Sequence, residues 1–364
     1  MTTKKLYIAE ENPNMELLQE AANMIKQGGL VVFPTETVYG LGAAATQEEA
    51  VKGIFQAKGR PSDNPLIVHV ANREMMLDLV ESSAWLEKPE IVKLMDAFWP
   101  GPLTIIFPKH PMLSDGVTAG LSTVGIRMPN NVVARELIRL AGVGIAAPSA
   151  NTSGKPSPTT AEHVIEDMDG KVDAILCAAP CTVGVESTVL DMTVEPPVIL
   201  RPGGVTKEQL EEVLGKKVLM AKDVKPAEQQ DFVPRAPGMK YRHYAPKGKV
   251  IVFSGAEDAV ITEICKRVQQ CFSNGERCAV LASVQTASCY PKERTLVLGD
   301  RTKPETFAAT LFHALRQCDT MDAEYIFAEA ISDTGIGAAV MNRLMKAAGH
   351  TLVSLPVEGR GDSE

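Results

Sequence analysis

Two cations separated by a single glycine are the first feature of this 364-residue sequence that could do chemistry. Lys58 and Arg60 follow a predicted helix and precede an irregular turn, in the segment Gln56-Ala-Lys-Gly-Arg-Pro-Ser-Asp-Asn-Pro. In extended backbone both side chains can point at one polyphosphate, with Arg offering a planar fork and Lys a point charge. An isolated Lys-x-Arg more often complements the dipole of a helix C-terminus. The pair therefore predicts a phosphate site only if other segments of the chain also supply groups that bind anions.

Two turns rich in hydroxyl groups follow predicted buried strands. The segment 33–42, Phe-Pro-Thr-Glu-Thr-Val-Tyr-Gly-Leu-Gly, comes directly after a strand at 30–33, where open α/β sheets place their ligands. The segment 147–160 follows a strand at 144–147, and its amides, serines and asparagine can form a nest for an anion. The alternative for each is a plain polar connection between core elements.

Arginines end predicted strands or turns at three places, Arg60, Arg127 and Arg201. If the fold brings them together, they make a focused positive cleft in an acidic protein, although a strand-terminal Arg can also simply reach solvent. His69 lies inside an apolar strand, where a hydrogen-bonded core histidine is the commoner case. The sequence has no Ser-His-Asp order, HExxH, Walker A loop or kinase signature. The kind of catalysis that remains is the positioning of anionic substrates.

The elements that must position these residues form an α/β pattern. Short apolar runs alternate with helical patterns over residues 1–215, which predicts an open, twisted mixed sheet with helices. A proline-rich connection at 216–249 is followed by a second α/β pattern at 250–354, which predicts a smaller, Rossmann-like domain. Residues 355–364 are predicted to be a disordered tail.

Composition limits the class of protein. A net charge of -8 disfavours broad, sequence-independent binding to nucleic acid but still allows a local basic pocket and weak contact with RNA. The seven scattered cysteines lack tandem C-x2-C pairs and predict reduced thiols in the cytoplasm. Neither a signal peptide nor an apolar run of about 18 residues is present, so no membrane association is expected.

Taken together, these segments resemble the YrdC-type threonylcarbamoyl-AMP synthases. The resemblance is carried by the strings PTETVYGLG, KGRPSDNPLIVH, STVGIRMP, APSAN, GVESTV and LRPGG, in this order. The strings PGMKYRHYAP and GIGAAVMNRLMKAA are similar to the longer, two-domain subfamily. The family's fold is implied for 1–215, which would be a YrdC-like catalytic domain.

The resemblance implies an activity. L-threonine and bicarbonate or carbon dioxide would give N-carboxythreonine, whose carboxylate attacks the α-phosphorus of ATP and expels pyrophosphate. The product, threonylcarbamoyl-AMP, would be passed to tRNA-modification transferase proteins for the threonylcarbamoyladenosine modification of tRNA. Such a displacement needs alignment and cations on the leaving group but no protein nucleophile. Mg²⁺ is expected on the ATP phosphates, with no metal ligands from the protein.

Site residues follow from the same resemblance. Lys58 and Arg60 are expected to be catalytic, because they would grip the triphosphate. The expected ATP-binding residues are Lys58, Arg60, Ser62, Thr123, Ser149, Asn151, Ser157, Arg201, Tyr241 and Arg242. The expected L-threonine-binding residues are Thr35, His69, Arg127, Ala147 and Ser187.

The connection between the two domains is predicted to act as a lid over the nucleotide. Met239–Lys249 carries four basic residues and no acidic one, and Tyr241, Arg242 and His243 are expected to face the ligand. Prolines would stiffen the segment and reduce the entropy lost on closure. The alternative is a solvated spacer between independent domains.

Two other functions compete with the synthase. YrdC-like modules also occur in carbamoyltransferases that make carbamoyl-adenylate, but those carry paired C-x2-C zinc motifs that this chain lacks. The second rival is a non-catalytic RNA-binding module that uses the same basic cleft. The acidic net charge and the low aromatic content disfavour it.

Overall fold

The structure is a computed structural model that describes residues 2–111, 113–223 and 244–356. The described residues divide into two compact units, one formed by residues 2–153 and 157–223 and the other by residues 154–156 and 244–356. Most of the predicted linker, 224–243, and the predicted tail from residue 357 onward lie outside the described residues.

The first unit is built on one 11-stranded sheet with the order β1-β8-β2-β3-β7-β4-β6-β5-β9-β10-β11. Parallel and antiparallel pairs are both present, so the mixed sheet predicted from the sequence is confirmed. The strands are β1 (Lys4–Tyr7), β2 (Val31–Phe33), β3 (Gly40–Ala44), β4 (Ile67–His69), β5 (Leu103–Pro108), β6 (Thr123–Arg127), β7 (Ile145–Ala147), β8 (Ala174–Cys177), β9 (Thr188–Asp191), β10 (Val198–Arg201) and β11 (Leu219–Met220). The helices are α1 (Met15–Lys26), α2 (Glu48–Lys58), α3 (Pro89–Phe98), α4 (Asp115–Thr118), α5 (Val132–Ala141), α6 (Ala161–Met168) and α7 (Lys207–Leu214).

Apolar side chains cover both faces of this sheet. Val32 belongs to the largest apolar cluster, whereas its neighbours Val31 and Phe33 belong to a second cluster with residues of α1 and α5. This alternation follows from the period of two along a strand. It explains why the central strands are continuous apolar runs. Polar side chains are consequently concentrated at the ends of these strands and in the loops that follow them.

Helix α2 ends where its sequence requires. Gly59 takes the left-handed conformation, with φ 63°, and its amide closes the last turn by donating to the carbonyls of Phe55 and Gln56. A side chain at this position would be strained, which is why glycine is favoured here. The chain therefore turns away immediately after Lys58, the last residue of the helix.

The second unit is a five-stranded parallel sheet with the order β14-β13-β15-β12-β16. Its elements are β12 (Lys249–Ser254), α8 (Glu257–Asn274), β13 (Cys278–Ser283), β14 (Thr295–Gly299), α9 (Glu305–Thr320), β15 (Tyr325–Glu329), α10 (Gly337–Ala347) and β16 (Leu352–Ser354). The predicted α/β character is present. Counted in chain order within the unit, the strands lie 3-2-4-1-5, which differs from the 3-2-1-4-5 order of a Rossmann sheet. The Rossmann-like label is therefore not confirmed.

Two further findings concern the whole described chain. The structure pairs none of the seven cysteines in a disulfide bond. Among the residues that the structure describes, no helix is both long enough and apolar enough to cross a bilayer.

Candidate active site

The site residues on β4 and β6 lie on the sheet face opposite the largest apolar cluster. Val68 and Ile126 belong to that cluster. Because successive strand residues point to opposite faces, His69 and Arg127 project from the other face. They are also register partners in the parallel β4–β6 pair, so the two side chains start next to each other.

Arg127 is the centre of a buried polar group. Its Nη1 donates to Thr37 Oγ1 at 2.8 Å and its Nε donates to the carbonyl of Gly101 at 3.2 Å. Its Nη2 lies 2.6 Å from Glu36 Oε2, an ion pair between side chains that are 4% and 7% exposed. A buried cation of this kind is stable only when such partners compensate it. Arg127 thus fixes the loop after β2 against the sheet.

Thr35 holds the turn of that loop. Its Oγ1 accepts from the amides of Thr37 and Val38 at 3.1 and 3.2 Å and donates to the carbonyl of Val38 at 2.6 Å. The Thr35 and Thr37 hydroxyls are 2.8 Å apart. The hydroxyl of Thr35, which is buried, is therefore positioned by local hydrogen bonds before any ligand arrives.

His69 is buried without a full set of partners. Its ring meets Phe33 edge to face, with centroids 5.8 Å apart. Within the described residues its Nδ1 has no hydrogen-bond partner. Burial lowers the pKa of His69 to about 3, and the positive charge of Arg127 acts in the same direction. The ring is therefore neutral at physiological pH and can exchange one hydrogen bond with a ligand hydroxyl or carboxylate.

The buried histidine predicts a pH dependence of stability. The unfolded chain protonates His69 below about pH 6.5, whereas the native state does not. The free energy of unfolding should therefore fall as the pH drops from about 6.5 towards 3, by up to about 1.4 kcal/mol per pH unit. His69→Gln and His69→Asn should both remove this part of the slope, measured by urea unfolding between about pH 7 and pH 5. An unchanged slope in both variants would show that the pKa of His69 is the same in the native and unfolded states, which would contradict the lowered pKa.

Ser187 and Arg201 form a second buried group. Arg201 Nη2 donates to the carbonyl and to the Oγ of Ser187, at 3.0 and 3.2 Å, and the Ser187 Oγ lies 2.8 Å from Thr104 Oγ1. Gly203, in the turn after Arg201, packs directly against the backbone of Glu186 and Ser187. A Cβ at this position would lie 2.3 Å from that backbone, so only glycine fits. Arg201 therefore orients Ser187.

Lys58 joins two of the segments singled out in the sequence. Its Nζ donates to the carbonyls of Ser149 and Asn151 at 2.5 and 2.6 Å and approaches Asn151 Oδ1 at 3.3 Å. The Ser149 Oγ donates to the same Oδ1 at 2.5 Å. Lys58 is only 2% exposed. A buried ammonium group thus holds the turn after β7 in one conformation.

A cavity of about 490 Å³ lies beside Lys58. Its lining includes Lys171, whose Nζ donates to Thr152 Oγ1 at 3.2 Å and to the carbonyl of Asp167 at 2.7 Å. Neither Lys171 nor Thr152 was expected from the sequence. The described residues that line the cavity are Gln56, Ala57, Lys58, Gly59, Thr152 and Lys171.

The other expected ATP-binding residues differ from one another in burial. Ser157 is fully buried and donates to Glu186 Oε1 at 2.6 Å. Arg60 is partly buried, with its guanidinium 5.7 Å from the Phe55 ring centre and a hydrogen bond to the carbonyl of Asn64 at 3.3 Å. Ser62 is exposed.

Thr123 and Ala147 complete the described set. Thr123 begins β6, so it lies about 13 Å along the strand from Arg127. Ala147, at the end of β7, pairs with Ile67 and is buried. Tyr241 and Arg242, like His243, lie outside the described residues, so the lid hypothesis stays a prediction.

Several residues of the site were missed in the sequence. Glu36, Thr37 and Glu186 lie within quoted segments but received no role, because the segments were interpreted as anion sites. Thr104 gave no signal at all, since it stands alone in an apolar strand. A carboxylate next to a predicted anion site was the signal that could have identified Glu36, because it implies a cationic partner.

Comparisons with known proteins agree with one another. Residues 23–203 match the Sua5/YciO/YrdC family model, described as telomere recombination, and residues 205–349 match the C-terminal domain of threonylcarbamoyl-AMP synthase. A threonylcarbamoyl-AMP synthase of Bacillus subtilis is 46% identical over 358 residues, 97% of this chain and 100% of the relative. One of Pyrococcus abyssi is 45% identical over 340 residues, 92% of this chain and 95% of the relative. The crystal structure of P. abyssi Sua5 complexed with L-threonine matches with a TM-score of 0.88 at 44% identity, covering 97% of this chain and 100% of that one.

Proposed function

The chain belongs to the threonylcarbamoyl-AMP synthase family, and from that premise we propose that it uses L-threonine, bicarbonate or carbon dioxide, and ATP to make threonylcarbamoyl-AMP and pyrophosphate. The product serves the threonylcarbamoyladenosine modification of tRNA. The similarity to a Sua5 structure complexed with L-threonine supports the amino acid substrate. Neither an RNA-binding module nor a carbamoyl-adenylate-forming carbamoyltransferase is favoured by the full-length relatives.

The buried group around Arg127 is the observation that carries this proposal. A guanidinium next to a carboxylate, with a neutral imidazole beside them, offers a partner for each polar group of an amino acid. Thr35, Ser187 and the backbone at Ala147 would complete the threonine site. The hydroxyls of Thr35 and Ser187 are already held in place by neighbouring polar groups, which is the preorganisation that specific recognition requires.

Lys58 and the turn that it holds would bind the triphosphate. Ser149 and Asn151 are fixed around the Lys58 ammonium group, and the adjacent cavity adds a second cation, Lys171. Cationic side chains next to the departing pyrophosphate stabilise the transition state of the displacement at the α-phosphorus, because they offset the negative charge that develops there. The attacking group is the carbamate carboxylate of the substrate, so the protein's part is alignment. Arg60, Ser62, Thr123, Ser157 and Arg201 remain proposed nucleotide contacts, as do Tyr241 and Arg242.

Magnesium enters the proposal through ATP. In the described part of the chain, no group of three or more His, Cys, Asp and Glu side chains is arranged to hold a metal ion. Lysine and arginine donors suit phosphate oxygens rather than a metal. We therefore propose that Mg²⁺ is bound by the ATP phosphates and neutralises part of their charge.

The reaction itself provides the test. Protein, ATP, Mg²⁺, bicarbonate and labelled L-threonine should yield equimolar pyrophosphate and a threonine-containing adenylate, resolved by chromatography. Omission of bicarbonate with carbon dioxide excluded should abolish both products. Pyrophosphate that forms without threonine would contradict the proposal. Transfer of the product to downstream tRNA-modification proteins is also proposed, and addition of those proteins with tRNA would test it.

Threonine should be strongly preferred over valine. A site that hydrogen-bonds the substrate hydroxyl leaves buried polar groups unpaired when valine binds, which costs about 10⁴-fold in kcat/KM, whereas a missing methyl group in serine costs roughly 10–200-fold. Thr35→Val removes the hydroxyl at nearly constant volume and should reduce threonine turnover, and Thr35→Ser is the matched variant that keeps it. Competition between the labelled amino acids measures the ratio. Equal turnover of valine and threonine by the unmodified protein would exclude a hydroxyl-binding pocket.

A further inference from the structure

Glu36 is the side chain of this site whose outer oxygen, Oε1, the proposed function assigns to no particular substrate atom. It lies on the loop after β2 and is 6% exposed. Its Oε2 is paired with Arg127, but Oε1 is buried and has no hydrogen-bond partner among the described residues. A buried charged oxygen without a donor is unfavourable. The position therefore favours a ligand that brings a donor to Oε1.

The surroundings of Glu36 indicate which donor this is. Arg127 beside it attracts a carboxylate, and His69, the register partner of Arg127, is neutral and cannot replace the missing cation. An α-amino acid carries a carboxylate and an amino group on one carbon. A guanidinium and a carboxylate side by side match that pair of charges. The donor that fits Oε1 is thus the amino nitrogen of the substrate.

Resting on the proposed function, we propose that Glu36 Oε1 accepts a hydrogen bond from the amino nitrogen of L-threonine while Arg127 holds the substrate carboxylate. The contact persists through the first step. When the free amine bonds to carbon dioxide, one N–H proton is released to solvent and the carbamate nitrogen keeps the other. Glu36 thereby fixes the orientation of this nitrogen, and with it the orientation of the new carboxylate that attacks ATP.

A purely structural role for Glu36 makes a different prediction. If Glu36 only neutralises and positions Arg127, its loss should weaken every ligand that uses Arg127 through a carboxylate. If it contacts the amino group, its loss should weaken only ligands that have one. L-threonine and (R)-3-hydroxybutyrate separate the two cases, because the second compound has the same carboxylate, hydroxyl and methyl groups but no amine.

The experiment measures dissociation constants of both compounds for the full chain by ligand-observed NMR titration. Glu36→Ala should weaken L-threonine by about tenfold or more and Glu36→Gln by roughly tenfold, since a charge-assisted hydrogen bond is lost or made neutral. Binding of (R)-3-hydroxybutyrate should change by less than about twofold or become tighter, because no unpaired carboxylate is then buried. Glu81→Ala, at an exposed position, is the control and should change neither constant.

Two outcomes would overturn the inference. Equal loss for both compounds would assign Glu36 to positioning Arg127 alone, and unchanged threonine affinity in both variants would exclude the contact. Glu36→Gln keeps the side-chain volume and decides the matter if Glu36→Ala does not fold. Adenylate formation by the unmodified protein is scored separately. Its failure would refute the proposed function, whereas a threonine-specific loss of binding would still support the Glu36 contact.

Discussion

Lys58→Ala should reduce the formation of threonylcarbamoyl-AMP by about a hundredfold or more, because one preorganised cation or donor at a developing charge typically contributes 10²–10³ to kcat. The ammonium group is buried and holds the carbonyls of Ser149 and Asn151. Its removal therefore deletes a positive charge and also releases the turn that would cradle the phosphates. Pyrophosphate release in a single turnover is the measurement. The affinity for L-threonine should stay within about twofold, since the loss falls on the nucleotide.

A control on the same helix separates charge at the site from charge in general. Lys52 is exposed and pairs with Glu48 and Glu49, and solvent screens surface pairs of this kind, so they contribute little to stability. Lys52→Ala should therefore turn over like the unmodified protein. Lys58→Met, which keeps the length of the side chain, should be as inactive as Lys58→Ala. Full turnover in both Lys58 variants would show that Lys58 does not contribute to catalysis. The same assay on Arg60→Ala would then show whether Arg60 is the principal cation.

Arg127→Met should lower kcat/KM for threonine by about a hundredfold to a thousandfold, because truncation of one partner in a buried charge pair costs roughly 2–5 kcal/mol. The same change leaves the Glu36 carboxylate buried without its cation. The protein should therefore also be destabilised, by roughly 3–5 kcal/mol. Steady-state turnover and the thermal unfolding midpoint report the two effects.

A double variant distinguishes the effect on stability from the effect on binding. Arg127→Met combined with Glu36→Gln removes both charges, so it should recover part of the lost stability, while threonine turnover should stay as low as in Arg127→Met alone. Arg139→Met, on the exposed face of α5, is the control for loss of an arginine. If the double variant regained activity together with stability, Arg127 would be a structural residue and would not bind the substrate.

The α/β class followed from the sequence because local physics determines it. A strand buried on both faces needs a continuous apolar run and an amphipathic helix needs its own period, and both patterns are visible in short windows. The mixed sheet of the first unit was predicted on this basis and is confirmed. The strand order of the second unit was not predictable, since it depends on pairings between distant segments that no local pattern records.

The sequence by itself determined which residue types could bind anions, and it placed them at the ends of strands and helices. It also identified the family, because its quoted motifs occur in order along the chain. Only the tertiary structure decided which of these residues meet. Arg127 reaches Thr37 across 90 residues and Lys58 reaches Ser149 across 91. The neutral state of His69 and the open acceptor on Glu36 were likewise set by burial. The physical reason is that the type of a residue fixes which charge its side chain can carry. The partners, hydration and pKa of that side chain depend on neighbours that only folding brings together.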